Sequence, residues 1–329
     1  MSHEIDLSND RANIAYVGDV PWHGLGSELQ KGASIEEWQQ AAGMNFVLKS
    51  YPATYFNNDT NCTHMVEGRR VLVRDDTQAD LSIVSDDYKI VQPREVLEFY
   101  RDVVSQAGFD LDVAGVLKGG RKYWALAKLG QEAVIMKQDK IEGYLLLATS
   151  CDMSLASTAM FTSVRVVCNN TLNIAVKGEG AESHRYVKVT HNQVFNPAMV
   201  KAQLGLASTS WSAFIENANT LARRKVDRKT AVEWLVKVFG DAEKAVEEQE
   251  VSAARNMQRV LELFDGTGLG SGYASADGTA WGLVNAVTQH IDHHAGARTT
   301  ANRLDRAWFG DGATVKDKAW EEALVLVEK

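Results

Sequence analysis

The sequence predicts an α+β protein, a mostly antiparallel sheet domain with packed helices followed by a helical C-terminal region. β-rich runs crowd residues 46–176 and are joined by short Gly- and Asp-containing turns, not by alternating helices. After residue 190 the apolar positions change from alternation to helical spacing. The chain has 329 residues, 45% of them hydrophobic and 24% charged, enough to bury a sizeable core.

The elements follow in order. Ser34-Ile35-Glu36-Glu37 is a capping box, and Gly43 is a C-terminal stop, so a short helix lies between them. "FVLKSYPATYF" (46–56) alternates loosely and reads as a strand broken at Pro52. "RRVLVRDD" (69–76) and "LSIVSDDYKIV" (81–91) are further strands between turn residues. Pro93 opens a helix with Val96, Phe99, Tyr100, Val103 and Val104 on one face, closed by Gly108. "FDLDVAGVLKGGRKYWALAKL" (109–129) is a hairpin about Gly119-Gly120. The runs 143–150 and 158–176 extend the sheet. Leu204, Ala207, Trp211, Phe214, Ile215, Ala218 and Leu221 then fall on one stripe of a long helix, and helical segments continue to the end around a loop at 265–278, expected to be a flexible connector. The chain thus divides into an N-terminal arm with a short helix (1–43), a sheet domain (44–190) and a helical region (191–329).

Net charge is −8, which argues against coating nucleic acid by bulk attraction. The first sixty residues are the acidic part and 61–200 are near balance, so a basic patch is expected in the middle. Cys62, Cys151 and Cys168 lack CxxC spacing and read as reduced cytoplasmic thiols, with Cys168 a small buried hydrophobe. No apolar run is long enough for a membrane span, and Met1–Asp10 lacks the pattern of a secretory signal.

Most motifs with chemical promise read more plainly as structure. In "VPWHGLG" (20–26), Trp22 is a hydrophobic plug, and His23 has no acid, base or nucleophile placed beside it. In "HIDHH" (290–294), His290 and His294 share a helical face at a metal-compatible spacing, but a third ligand would have to come from afar, from His64, His184 or His191. No metal and no cofactor is therefore expected. "GTGLGSG" (266–272) fits neither a dinucleotide nor a P-loop pattern, and "SLAST" (154–158) is no nucleophile elbow. "RRKVDRK" (223–229) reads as the solvated basic end of a helix, followed by the solvated acidic run 241–250.

The hairpin is the candidate site. Lys118, Arg121 and Lys122 surround its tip with Tyr123 and Trp124 behind, a combination of cations for phosphates and rings for bases. Alternation sends the two rings to opposite faces, so one of them is expected to stack and the other to pack. Arg69, Arg70 and Arg165 on other strands would extend the groove.

Taken together, "VPWHGLG", "SDDYKIVQPREVLEFY", "RVVCNNTL" and "TAWGLVNAVTQHIDHH…RLDRAWFGDGATVKDKAW" resemble the phage/plasmid-related protein family, whose central domain is one of unknown function. The resemblance runs from residue 13 to the C-terminus. It implies a mobile-element context in a bacterial cytoplasm and transfers no catalytic residues. The order of strands, helix and basic hairpin is also similar to that of single-strand annealing proteins of temperate phages, which assemble as rings or filaments. The expectation is therefore a non-enzymatic, homo-oligomeric protein that binds and anneals single-stranded DNA in recombination. The alternatives are a metal-dependent enzyme acting on nucleic acid through His290 and His294, or a binder of a host defence protein.

Overall fold

A computed structural model of the chain describes residues 7–8, 11–18, 26–107, 110–165, 170–174, 176–177, 183–184, 187–196, 207–240, 251–296 and 306–328. The Trp22-His23 motif up to Leu25, Cys168 and the acidic run 241–250 lie outside them. The fold is mixed α+β, with an antiparallel-dominated sheet and helices in the C-terminal region.

The strands are β1 (Leu7–Ser8), β2 (Arg11–Ala12), β3 (Ile14–Val17), β4 (Ser27–Leu29), β5 (Leu48–Asn57), β6 (Cys62–Arg74), β7 (Asp80–Ser85) and β8 (Asp110–Leu117). They continue as β9 (Lys122–Ile135), β10 (Asp139–Ser150), β11 (Ser157–Arg165), β12 (Asn170–Ile174), β13 (Val176–Lys177), β14 (Ser183–His184) and β15 (Val187–Val189). An eight-stranded sheet runs β12-β11-β10-β9-β8-β3-β4 with β15 beside β11, and β5-β6-β7 form a separate three-stranded sheet. β3 pairs with β4 in parallel, whereas β3 with β8, β5 with β6, β6 with β7, β8 with β9, and β11 with both β12 and β15 pair antiparallel.

By its contacts the chain forms two compact units, each discontinuous in sequence. The first holds Met1–Gly130, Leu145–Met160 and Tyr186–Gly205; the second holds Gln131–Tyr144, Phe161–Arg185 and Leu206–Lys329.

In the first unit, helix α1 (Ile35–Ala41) starts at the expected capping box: Ser34 Oγ accepts from Glu37 N at 3.2 Å, and Ser34 N donates to Glu37 Oε2 at 2.7 Å. Those bonds hold the Glu37 carboxyl below its usual range. Gly43 ends the turn with φ +68°, where a Cβ would sit 2.3 Å from Asn13 Cγ. Helix α2 (Pro93–Ala107) buries Val96, Leu97, Phe99 and Tyr100, and the Tyr100 hydroxyl bonds Ala125 O at 2.7 Å. β8 and β9 form the expected hairpin, with Gly115 opposite Trp124 and Leu117 opposite Lys122. Its tip is a 3-10 turn in which Lys118, Gly119 and Gly120 all have positive φ.

The second unit carries helices α3 (Ala207–Arg223), α4 (Arg228–Phe239), α5 (Val251–Glu262), α6 (Ala280–Gln289) and α7 (Asp311–Glu328). α6 is its axis, and all of its residues are buried. A Cβ on Gly282 would lie 1.8 Å from Ala276 O, so only glycine fits where α6 passes the preceding loop. Trp281 Nε1 and Ser275 Oγ donate to the buried Asp139 carboxylate at 2.9 and 2.8 Å. Lys316 on α7 pairs with Asp292 at 2.8 Å, both side chains almost wholly buried, and Thr171 of β12 donates to the same carboxylate through N and Oγ1. A buried pair so satisfied fixes one arrangement of β12, α7 and the turn after α6.

Two expectations for this region are corrected. Residues 265–278 are not a loose connector: successive turns link Gly268 to Leu263, Ser271 to Gly268, Tyr273 to Gly270 and Ala276 to Tyr273, and Ser275 and Ala276 are buried. The basic run 223–229 is not one helix end. Arg223 closes α3, Asp227 caps α4 by accepting from Thr230 N at 2.8 Å, and Arg228 pairs with Asp265. Among the described residues no helix is long and apolar enough to cross a membrane.

Candidate nucleic-acid interface

The β8–β9 tip does not offer its rings. Tyr123 and Trp124 are 1% and 4% exposed, and Lys122 is buried with them. Alternation sends the rings to opposite faces, but β9 lies between β8 and β10 in the sheet interior and both its faces are covered here. The expectation that one ring stacks on a base is therefore corrected: both are core. Tyr123 donates to Val91 O and meets Phe46 edge-on at 6.3 Å. The turn is also clasped from outside, because the Arg74 guanidinium lies 4.0 Å over the Phe46 ring and donates to Gly119 O at 3.1 Å. Arg74 further grips Asp76 through two bonds of 3.0 and 2.7 Å, which hold that carboxyl below its usual range. Arg121 is half-buried and donates to Leu81 O at 3.0 Å. Lys118 is half-buried at the tip, and Arg165 closes β11.

Arg69 and Arg70 lead to a different surface. They lie on β6, which pairs with β5 to make a ribbon longer than β7 can cover. Where three strands run together, Leu48, Leu72 and Val84 are buried on one face. The other face carries the aligned row Tyr51, Val71 and Ile83, with Lys49 opposite Val73 and Arg69 opposite Ser85. Arg70 is anchored to Ser50 through Oγ at 2.6 Å and O at 3.0 Å, whereas Arg69 and Lys49 are exposed.

Beyond Pro52 the register slips and two strands continue alone, with Thr54 opposite Met65, Tyr55 opposite His64 and Phe56 opposite Thr63. Gly68, at φ +68°, supplies the backbone for the slip, and Asn57 Oδ1 closes the far turn by accepting from Asp59 N at 2.8 Å. Tyr51 is 47% exposed, Tyr55 53%, Phe56 55% and Met65 71%. Tyr55 stacks on His64 with centroids 5.4 Å apart and planes at 23°. Each such side chain forgoes part of the roughly 1.5–3 kcal/mol that full burial contributes, and four of them together on one ribbon make an apolar patch of the kind that marks a binding surface. The strand expected to break at Pro52 runs on through it with only a shift of register, and its rings look like core in sequence because alternation does not show which face is covered.

The family model described as Domain of unknown function (DUF932) matches residues 80–308, more than two thirds of the chain. The chain belongs to this family. No curated protein and no solved structure matches it. The DUF932 match opens at the first residue of β7, so β5 and β6 precede it.

Within the DUF932 residues the "HIDHH" stretch is a π-helical turn, His290–His294, and not a continuation of α6 with α-helical spacing. The rings of His290 and His294 do not share a ligand position. His290 Nε2 lies 3.1 Å from Asn256 Oδ1, and His294 Nε2 lies 3.3 Å from Gln289 Nε2. Among the described residues no group of three or more His, Cys, Asp or Glu could hold a metal ion. His290 Nδ1 is buried without a partner, and burial, with smaller contributions from His294 and Arg259, pushes the imidazole down to about 4. His64 stands on the ribbon, His184 on β14 and His191 after β15.

Proposed function

We propose that this DUF932 protein is a non-enzymatic single-stranded DNA-binding protein, acting as a homo-oligomer in strand annealing during phage or plasmid recombination in the bacterial cytoplasm. The β5–β6 ribbon, not the β8–β9 tip, makes the contact. One observation carries the reading: Tyr51, Tyr55, Phe56 and His64 are exposed along a ribbon that also exposes Lys49 and Arg69. Rings of this kind stack on any base and contribute about 1–3 kcal/mol each, while cations hold the backbone. The mechanism is physical, not chemical. Bases stacked on a ribbon are held apart from one another, and an annealing protein must release them to a complementary strand.

A chain of net charge −8 has little long-range pull on DNA, so stacking carries more of the affinity than charge does. With Lys49 and Arg69 as the exposed cations, the log–log salt slope should be shallow, about 1.4 from two contacts of about 0.7 each. Fluorescence anisotropy with a labelled thirty-nucleotide thymidine strand tests the reading. The Tyr55→Ala/Phe56→Ala double variant should bind at least about tenfold more weakly, with its melting temperature little changed, because both rings are more than half exposed. Absence of binding by the parent at low salt, or equal binding by parent and variant, overturns it.

A further inference from the structure

A cavity of about 300 Å³ lies in the first unit, beside the end of β7. Ser85, Asp87, Tyr88, Met153, His191 and Asn192 are among the residues lining it. That volume is at the small end of ligand sites, suited to a nucleobase with its sugar. Two rings form one wall: Tyr88 and His191 stack with centroids 4.6 Å apart and planes at 17°. Both are fixed by their edges. The Tyr88 hydroxyl donates to Ser150 O at 2.9 Å, and the two His191 nitrogens lie 3.2 Å from Lys89 O and Leu155 O. Lys89 N in turn donates to His191 O at 2.6 Å, which ties the turn after β7 to the segment after β15. Rings already immobilised bind a flat ligand without a further ordering cost.

The polar groups select among flat ligands. Asn192 Oδ1 accepts from the Thr190 hydroxyl, which leaves the Asn192 amide nitrogen as a donor. Asp87 is an exposed carboxylate with no hydrogen bond or ion pair among the described residues. At the mouth, Met153 sits at φ 63° with its side chain 59% exposed, a left-handed backbone that a residue of its kind rarely keeps. A carboxylate that accepts two adjacent N–H groups, next to an amide that donates, complements the edge of guanine: N1–H and N2–H face the carboxylate and O6 faces the donor. Adenine, cytosine and thymine lack two adjacent donors on one edge. Asp86 and Asp152, next in the chain to the lining residues Asp87 and Met153, add negative charge that disfavours a phosphate there. Arg69, opposite Ser85 in the β6–β7 ladder, offers a cation for one outside it.

We propose that this cavity is a guanine-recognition subsite, in which Tyr88 and His191 supply the stacking wall and Asp87 reads the base edge. As a subsite on a bound strand it rests on the ribbon reading, but as a pocket for the base it does not, and the test separates the two. Saturation-transfer NMR measures guanosine and inosine, which lacks the N2 amine, on the full-length parent and on Asp87→Asn. Anisotropy compares a twenty-nucleotide thymidine strand with the same strand carrying isolated guanines or hypoxanthines. The parent should bind guanosine, bind inosine on the order of tenfold more weakly, and prefer the guanine strand by a similar factor. Asp87→Asn should lose the guanine preference while keeping its melting temperature and its affinity for the thymidine strand. If the parent binds no guanosine at millimolar concentration, or if Asp87→Asn keeps the preference, the subsite is overturned whatever the strands do. Strand binding without preference for guanine overturns the subsite and leaves the ribbon reading standing. Guanosine binding without strand binding does the reverse.

Discussion

Acidification should destabilise the second unit through His290. The neutral ring is satisfied in part, since one nitrogen faces Asn256 Oδ1 at 3.1 Å, while Nδ1 is buried with no acceptor to receive a proton. Protonating Nδ1 would create a buried, charged donor with nothing to bond, the costliest way to leave a polar group. Burial accordingly moves the imidazole from 6.5 down to about 4. The folded value is the lower one, so the unfolded chain binds the proton first, and stability present above pH 6.5 is lost as pH falls toward 4. At about 1.4 kcal/mol per pH unit, the loss is about 2 kcal/mol at pH 5 and about 3 kcal/mol once pH is below the folded value. Urea unfolding at pH 8 and pH 5, followed by tryptophan fluorescence, measures it in the parent and in His290→Gln, which keeps a side-chain donor but cannot titrate. The variant should show about 2 kcal/mol less pH dependence than the parent over that interval, whatever its absolute stability. Equal pH dependence in both proteins, or an NMR titration of the His290 ring near 6.5, would refute the reasoning.

Two other perturbations follow from the same unit. Gly282→Ala places a Cβ where Ala276 O stands, and calorimetry should show a loss of more than about 3 kcal/mol, or no folded second unit at all. Lys316→Met leaves the Asp292 carboxylate buried without its cation and should cost about 3–5 kcal/mol in denaturant titration, whereas the Lys316→Met/Asp292→Leu pair should recover only part of that loss, because Thr171 N and Oγ1 then lose their acceptor.

Local signals in the sequence were legible because local physics decides them. The Ser34–Glu37 capping box, the Pro93 helix start and the Gly119-Gly120 turn each depend on atoms within a few residues, and each is found where the pattern puts it. What alternation cannot say is whether a strand has covers on both faces. Tyr123 and Trp124 do point to opposite sides, yet β8 and β10 flank β9 and both sides are filled, so a plausible site became core. The opposite failure occurs on β5, where Tyr55 and Phe56 have the composition of core yet are 53% and 55% exposed. The Tyr88–His191 wall joins residues 103 positions apart and Asp139 meets Trp281 across 142, distances at which no spacing rule operates.

The Asp139–Trp281 bond also bears on how the chain leaves the ribosome. Residue 139 emerges early, but Ser275 and Trp281, which bond its carboxylate, follow 136 and 142 residues later. At about 5–20 residues per second that interval is roughly 7–28 seconds, long compared with the folding of a local hairpin. During it the segment Gln131–Tyr144 is tethered to a first unit whose sequence is largely complete, while α6, which brings Trp281, is not yet made. No cut in the polypeptide yields either unit as one uninterrupted fragment, so expression trials on half-length pieces would remove β10 from one or the other. Nascent copies whose synthesis stalls between residues 145 and 275 should therefore depend on chaperone holding, and ribosome profiling paired with capture of nascent-chain-bound chaperones would find them there.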